Sequence, residues 1–237
     1  MKPILKSFVM FLRQVLQDSM LVIVCLASLL AAFFFRFGIP QVELLLCSYF
    51  GSSSILAPYY LLFDLMLGML TPFMFCFASA MVMLEEYDVN LSSYLSVTPL
   101  GKKGYLISRL GLPALVSCLL SLLLLKGFSL TDWTAKAQVW TTLLSSLSAI
   151  IEALLVFSYS RNKVEGMAVA KLSGLLMLGF PIPFFLHTGF SYCFAFLPSY
   201  WIARYALEEN FNLLVPGLLL SMAAIVGIYR KFQTKLT

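Results

Sequence analysis

Charge is what this sequence has least of. Only 11% of its 237 residues are Asp, Glu, Lys or Arg, while 61% are apolar; a soluble domain carries about a quarter charged residues. So few polar side chains cannot cover so many apolar ones, which excludes a water-soluble globule and makes lipid the solvent for much of the surface. Histidine is scarcer still. The single one, His187, has no HExxH or GxSxG pattern around it, so metalloprotease and serine-hydrolase chemistry lack carriers, and it reads as an interfacial hydrogen-bonding group. The cysteines at 25, 47, 76, 118 and 193 form no CxxC and no Cys/His cluster, which removes support for a zinc site or dithiol redox chemistry. Cys47 and Cys193 both fall in segments expected outside, where a disulfide between them stays open. No GxxxxGK[ST] phosphate loop occurs either, so nucleotide-driven work requires a nucleotide bound elsewhere.

What the chain does have is six long apolar runs, expected at about 20–37, 58–84, 110–125, 137–159, 166–186 and 212–229. They make it a single all-α membrane domain with no repeat and no separate soluble unit. Ahead of them, Ile4, Leu5, Phe8, Val9, Leu12, Val15 and Leu16 recur at helical spacing over residues 1–19, which predicts an amphipathic helix in the interface rather than a signal peptide. Gly38, Pro40 and Gly51 predict an outer loop over 38–57, and Pro72 a kink in the second run. Gly111 and Pro113 loosen the start of the third. Ser145, Ala149 and Ala153 repeat every four residues, a stripe along which another helix approaches closely. The apolar stretch 190–197 is too short to cross at about 1.5 Å per residue. It is expected to dip in and return, or to lie flat, before Pro198-Ser199-Tyr200-Trp201.

The net charge of +5 does not mark a nucleic-acid surface, because the basic residues flank apolar runs instead of clustering on a domain. With the N-terminus inside, only Arg36, Lys126, Lys136 and Arg204 fall outside. The positive-inside rule therefore places both termini and the polar stretch 85–109 in the cytoplasm. Arg36 is expected to snorkel to the headgroups, and Trp133 to settle at the boundary.

Besides Arg36 at the end of the first run, three charges fall within the runs. Asp64, in the outer part of the second, is a candidate substrate or coupling group or simply a hydrated or hydrogen-bonded one. Glu152 and Lys171 both lie roughly 8–10 Å from the inner ends of adjacent antiparallel runs, so an ion pair is expected. Pairing relieves a penalty of about 2.5–3.5 kcal/mol for each lone charge.

The stretch 85–109 reads EEYDVNLSSYLSVTPLGKKGYLISR. Asp88 or Asn90 can cap a short helix ending near Val97, since Thr98 before Pro99 disfavours continuing it. Such a helix shows Val89, Tyr94, Leu95 and Val97 to a groove, with Lys102 and Lys103 following. The acidic pair Glu85-Glu86, the short amphipathic segment, Thr98-Pro99-Leu100, the basic pair and Tyr105-Leu106-Ile107-Ser108-Arg109 together resemble the cytoplasmic loop of ABC type-2 transporter permeases. The resemblance covers nearly the whole chain: interfacial helix, six spans, and a re-entrant segment before the last.

That resemblance implies that 89–97 is a coupling helix seated in a cleft of a separate ATPase subunit, with Glu85, Glu86, Asp88, Thr98 and Pro99 flanking it. It also implies ATP and Mg on that partner alone, and a second permease chain, identical or related. The path is then lined mainly by the first, second and fifth spans and carries an amphipathic or hydrophobic cargo outward, a drug, peptide or lipid. One departure stands out: the family often has Gly after its acidic residues, where this chain has Val89 or Asn90. Two other classes remain open, a proton-coupled secondary transporter using Asp64, Glu152 and Lys171, and a scaffold or immunity protein that transports nothing.

Overall fold

A computed structural model describes residues 3–91, 94, 101–186 and 189–235. Among these the chain forms helices and turns with no strand. Six helical segments are long and apolar enough to cross a membrane: Ser19–Phe50, Ala57–Asp88, Gly101–Phe128, Ala135–Tyr159, Lys163–Phe185 and Phe211–Lys235. The six expected runs are all present, and their ends are where the structure differs.

The first span does not stop at Gly38. A π turn over Phe34–Gly38, in which the Ile39 amide bonds back to the Phe34 carbonyl, carries the helix into Pro40 and on to Phe50. The helix ends at Gly51, whose φ of 66° lies in the left-handed region that only glycine enters freely. At 1.5 Å per residue its 32 residues span about 48 Å, so roughly a third projects beyond a 30 Å hydrocarbon core. The expected outer loop shrinks to 51–56 and folds onto Glu43, whose carboxylate accepts the Ile55 and Leu56 amides at 2.8 and 2.6 Å.

The second and third spans interlock through their prolines. Pro72 has no amide proton, which leaves the Gly68 carbonyl one turn back without its helical donor. The Ser121 hydroxyl of the third span supplies that bond at 2.7 Å. Reciprocally, Pro113 of the third span frees the Arg109 carbonyl, which accepts from the Ser79 hydroxyl of the second. Each span thus repairs the gap in the other, as lipid-embedded backbone requires. Around this pair the fourth span packs centrally against the second, third, fifth and sixth. Its Ser145, Ala149 and Ala153 are all buried.

The N-terminal helix Pro3–Gln17 turns Phe11 and Val15 inward and leaves Leu5, Val9, Leu12 and Leu16 exposed as a second stripe. The third span starts at Gly101 rather than near 110, so residues 101–109 of the polar stretch are helical. The fifth span is uneven. It runs as an α-helix over Lys163–Ser173, tightens to a 3₁₀ helix over Gly174–Gly179, and resumes over Ile182–Phe185.

After it, a 3₁₀ turn at Gly189–Phe194 leads back to a helix, Pro198–Glu208, that the sequence reading did not anticipate. Its start lies against the fifth span: the Ser199 hydroxyl donates to the Leu176 carbonyl. Gly179 permits this approach, since a Cβ there meets the Tyr200 amide nitrogen at 2.5 Å. All five cysteines are free, Cys47 half-buried and Cys193 exposed.

Removing either serine leaves a buried carbonyl without a donor. Ser121→Ala and Ser79→Ala should each cost about 1 kcal/mol, the scale of interhelical hydrogen bonds in membranes, read as a lowered unfolding midpoint in detergent. Adding Pro72→Ala to Ser121→Ala restores the helix's own amide donor and should recover the loss. No recovery would refute the reciprocal repair.

Candidate functional site

The polar stretch is anchored at both ends by one buried cluster. Tyr105 and Arg109, four residues apart on the third span, face Glu86 near the end of the second. The Arg109 guanidinium grips the Glu86 carboxylate in a fork, Nη2 to Oε1 at 2.5 Å and Nε to Oε2 at 2.9 Å, while the Tyr105 hydroxyl donates to Oε2 at 3.0 Å. Arg109 Nη1 continues to the N-terminal helix, donating to the Ser7 carbonyl at 2.6 Å and its hydroxyl at 3.1 Å. The Phe11 and Tyr105 rings flank the guanidinium, each 5.8 Å away. Arg109 is 0% and Glu86 1% exposed. A buried ion pair persists only when its remaining donors and acceptors are satisfied, and here they are.

Around that cluster lie further ties. Lys163, the first residue of the fifth span, bridges Asp18 at 2.6 Å and Glu85 at 3.2 Å. Asp18 also caps the first span by accepting the Met20 amide at 2.9 Å. The Lys163 ammonium, donating to it, holds its carboxyl below the ordinary value of 3.8. At the other terminus Lys235 donates to the carbonyls of Phe157, at 2.5 Å, and Ser160, and sits 4.5 Å from the Tyr87 ring. The end of the second span is therefore joined to the N-terminal helix, the start of the fifth span and the last helix.

The helix of the second span ends at Asp88, and Asn90 adopts a φ of 58°. Asn tolerates this left-handed geometry at modest cost, so Asn90 performs the turn for which the resembling family often has Gly. The Asn90 carbonyl then accepts the Tyr94 amide at 3.3 Å, the first step of a new helical turn. Asp88 is exposed, and so are Val89 and Tyr94. Leu95, Val97, Thr98 and Pro99 lie outside the described residues, as does His187. Of the acids read as docking groups, Glu86 is turned inward and spent on Arg109. Glu85 keeps more than half of its side chain exposed.

The three intraspan charges do not gather. Asp64 is fully buried and accepts the Leu130 amide, the Thr131 amide and hydroxyl, and the Trp133 indole N–H at 2.6–3.1 Å, clamping the turn between the third and fourth spans. Nor do Glu152 and Lys171 pair: no ion pair joins them. Ser173 takes the place facing Glu152 and donates to Oε1 at 3.4 Å. Lys171, two residues earlier and so about 200° around the helix, is on the exposed side. Glu152 Oε2 has no hydrogen-bond partner. Both residues nevertheless border one cavity of about 390 Å³ between the first, second and fifth spans. Among the described residues, no group of three His, Cys, Asp or Glu is placed to hold a metal.

The sequence pattern alone does not single out Tyr105 and Arg109 as the partners of Glu86. The available signal was an acid closing one span and a base opening the next, with an aromatic hydroxyl one turn from the base.

Residues 11–229 match the model of a family described as "Fluoroquinolones export permease protein Rv2686c-like". Two curated relatives, the fluoroquinolones export permease proteins Rv2686c and MT2760 of Mycobacterium tuberculosis strains H37Rv and CDC 1551, are each 23% identical over 164 residues. The match takes in 66% of this chain and 65% of each relative, so the chain spans slightly less than two thirds of their length. No solved structure matches.

Truncating one partner of the buried pair should be severe: Glu86→Ala leaves the guanidinium unpaired, at a cost of about 3–5 kcal/mol. The combined change with Arg109→Met should be milder than Glu86→Ala alone in the same unfolding assay. The Asp18 tie has the opposite pH sense to a basic group's. With its carboxyl pKa depressed in the folded chain, its contribution is present above the ordinary value of 3.8 and lost on acidification through the lowered one. Asp18→Asn should therefore lower the midpoint at neutral pH and converge with the parent as the medium becomes strongly acidic.

Proposed function

Because this chain belongs to the Rv2686c-like family of fluoroquinolone export permeases, we propose that it is the membrane-spanning subunit of an ATP-driven ABC exporter. Energy comes from a separate ATPase subunit that binds the nucleotide and Mg, and a second permease chain, identical or related, completes the path. The chain lies in the cell membrane with both termini and the polar stretch in the cytoplasm. The segment following Asn90 is the coupling helix: Val89 and Tyr94, with Leu95 and Val97 further on, enter a cleft of the ATPase. Glu85, Asp88, Thr98 and Pro99 flank it.

The observation that carries this reading is the Glu86–Arg109 fork with its extension to Ser7. A push on the segment between Asp88 and Gly101 acts on both helices that flank it, and these are locked to one another and to the N-terminal helix. They respond as one lever of the hinge or shear kind. The relatives are named for fluoroquinolone export, and an amphipathic aromatic drug is the cargo class this chain is proposed to carry outward. A relay of Asp64, Glu152 and Lys171 has less support, since Asp64 is fully engaged at the far end of the fold and Lys171 is not paired with Glu152.

Inverted membrane vesicles containing this chain and its ATPase should accumulate a fluorescent quinolone only with hydrolysable ATP. Tyr94→Ala and Val89→Asp should reduce accumulation about tenfold or more, as for truncation of an interface anchor, with the unfolding midpoint unchanged. Accumulation driven by a proton gradient in liposomes holding this chain alone would overturn the proposal.

A further inference from the structure

The cavity between the first, second and fifth spans has an unusual pairing of groups for its setting. Its walls are apolar and rich in Met and Phe, including Phe73, Met74, Phe77 and Met167. Glu152 borders it from the fourth span, 2% exposed, with one carboxylate oxygen receiving a long hydrogen bond and the other none. Lys171 borders it from the fifth span and lies on the exposed side. A carboxylate buried among spans without a partner is costly, several kcal/mol even after relaxation, and Ser173 supplies only one weak donor. Packing does not account for it: an apolar side chain of like volume would remove the penalty.

The volume, about 390 Å³, falls within the range of small-molecule sites, which combine apolar walls with a few placed polar groups. The methionines are unbranched and reshape around a guest at little cost, which opens a way to the buried oxygen.

From these observations we propose that the cavity is a binding site for an apolar-bodied zwitterion. Its amine donates to Glu152 at the buried end, and its acid group meets the Lys171 ammonium at the exposed end. Two opposite charges held apart across an apolar wall select a molecule carrying the complementary charges at similar separation. A simple hydrophobic cation is disfavoured by Lys171, and a simple hydrophobic acid by Glu152. The site deepens the exporter reading and rests on it for the direction of movement. Binding itself needs neither the ATPase nor ATP.

The test uses the full chain in lipid nanodiscs without an ATPase, with an aromatic fluorescent quinolone acid bearing a basic amine as probe. Two matched probes accompany it, one with the amine acetylated and one with the acid esterified. The parent chain should bind the zwitterion and lose about tenfold or more in affinity for the acetylated probe, the scale of one charge-assisted hydrogen bond. Glu152→Gln should bind the zwitterion about as weakly as the parent binds the acetylated probe, and should no longer distinguish the two. Lys171→Gln should lose affinity for the zwitterion while binding the ester as the parent does.

Should Glu152→Gln fail to fold, Gly174→Phe serves in its place. A Cβ at Gly174 meets nothing within 4 Å, so the ring enters the cavity without disturbing the helix and should abolish binding. Equal binding of zwitterion and acetylated probe, unaltered binding by folded Glu152→Gln or Gly174→Phe, or occupation of the cavity by a second copy of the chain in cross-linking would each overturn the proposal. Failure of the exporter reading looks different: selective binding survives, while ATP and the partner fail to move the probe.

Discussion

Arg109 is where the constraints of this fold meet. Its guanidinium neutralises Glu86 and reaches the N-terminal helix. Its backbone carbonyl, freed by Pro113, is taken up by Ser79. One residue thus holds the second span twice, through a charged fork near its end and through a hydroxyl about two turns deeper. Each bond exists because the alternative is an unsatisfied group away from water, so removing one exposes the desolvation cost of the other partner. The N-terminal helix, whose outward stripe of Leu5, Val9, Leu12 and Leu16 is exposed, is fixed in register by the Ser7 contacts.

The same accounting explains why prolines and glycines that look like breaks in the sequence are not breaks in the fold. In lipid a helix cannot simply end at a proline, because the freed carbonyl has no water to turn to. At Pro72 and Pro113 a neighbouring serine repairs the gap. At Pro40 a π turn shifts the register so that the ring is admitted and the helix continues. Hydropathy therefore revealed the existence of all six spans but not their limits: the turn formers Gly38 and Pro40 carry no information about the π turn that absorbs them. Similarly, Thr98-Pro99 and the lysines after it mark a polar stretch, yet the helix of the third span begins at Gly101, within it.

The site was legible in part for the same kind of reason. The exposed Val89 and Tyr94 and the turn at Asn90 follow from local pattern. The partner of Glu86 is not apparent in the sequence because it lies 23 residues away, on a face defined only once the third span is known to start early. The expected Glu152–Lys171 pair rested on equal depth along straight antiparallel helices. Depth alone does not set azimuth, and Ser173 occupies the facing position. Of the readings open for Asp64, the hydrogen-bonded one holds, but the four donors that claim it come from a turn whose path no periodicity reveals.

How these spans move is constrained by where the packing is tight. In the most apolar stretch of each span, 72% of the second and 67% of the fourth is buried within the chain, against 17%, 22% and 17% for the first, fifth and sixth. The former, with the third locked to the second, form a core that resists deformation, because dense interiors lose many contacts for a small gap. The latter lean on that core by one side only. Displacing the first or fifth span exchanges contacts with lipid or with another chain, a smaller loss. The cavity lies along that boundary, with Phe73 and Glu152 on core helices and Met20, Lys171 and Gly174 on the less buried ones. Its volume can change without unpacking the core, and the 3₁₀ stretch beginning at Gly174 marks a place where the fifth span can bend. In the proposed exporter, a lever rooted at Arg109 needs only to rotate the core against its loosely held neighbours to open or close this space.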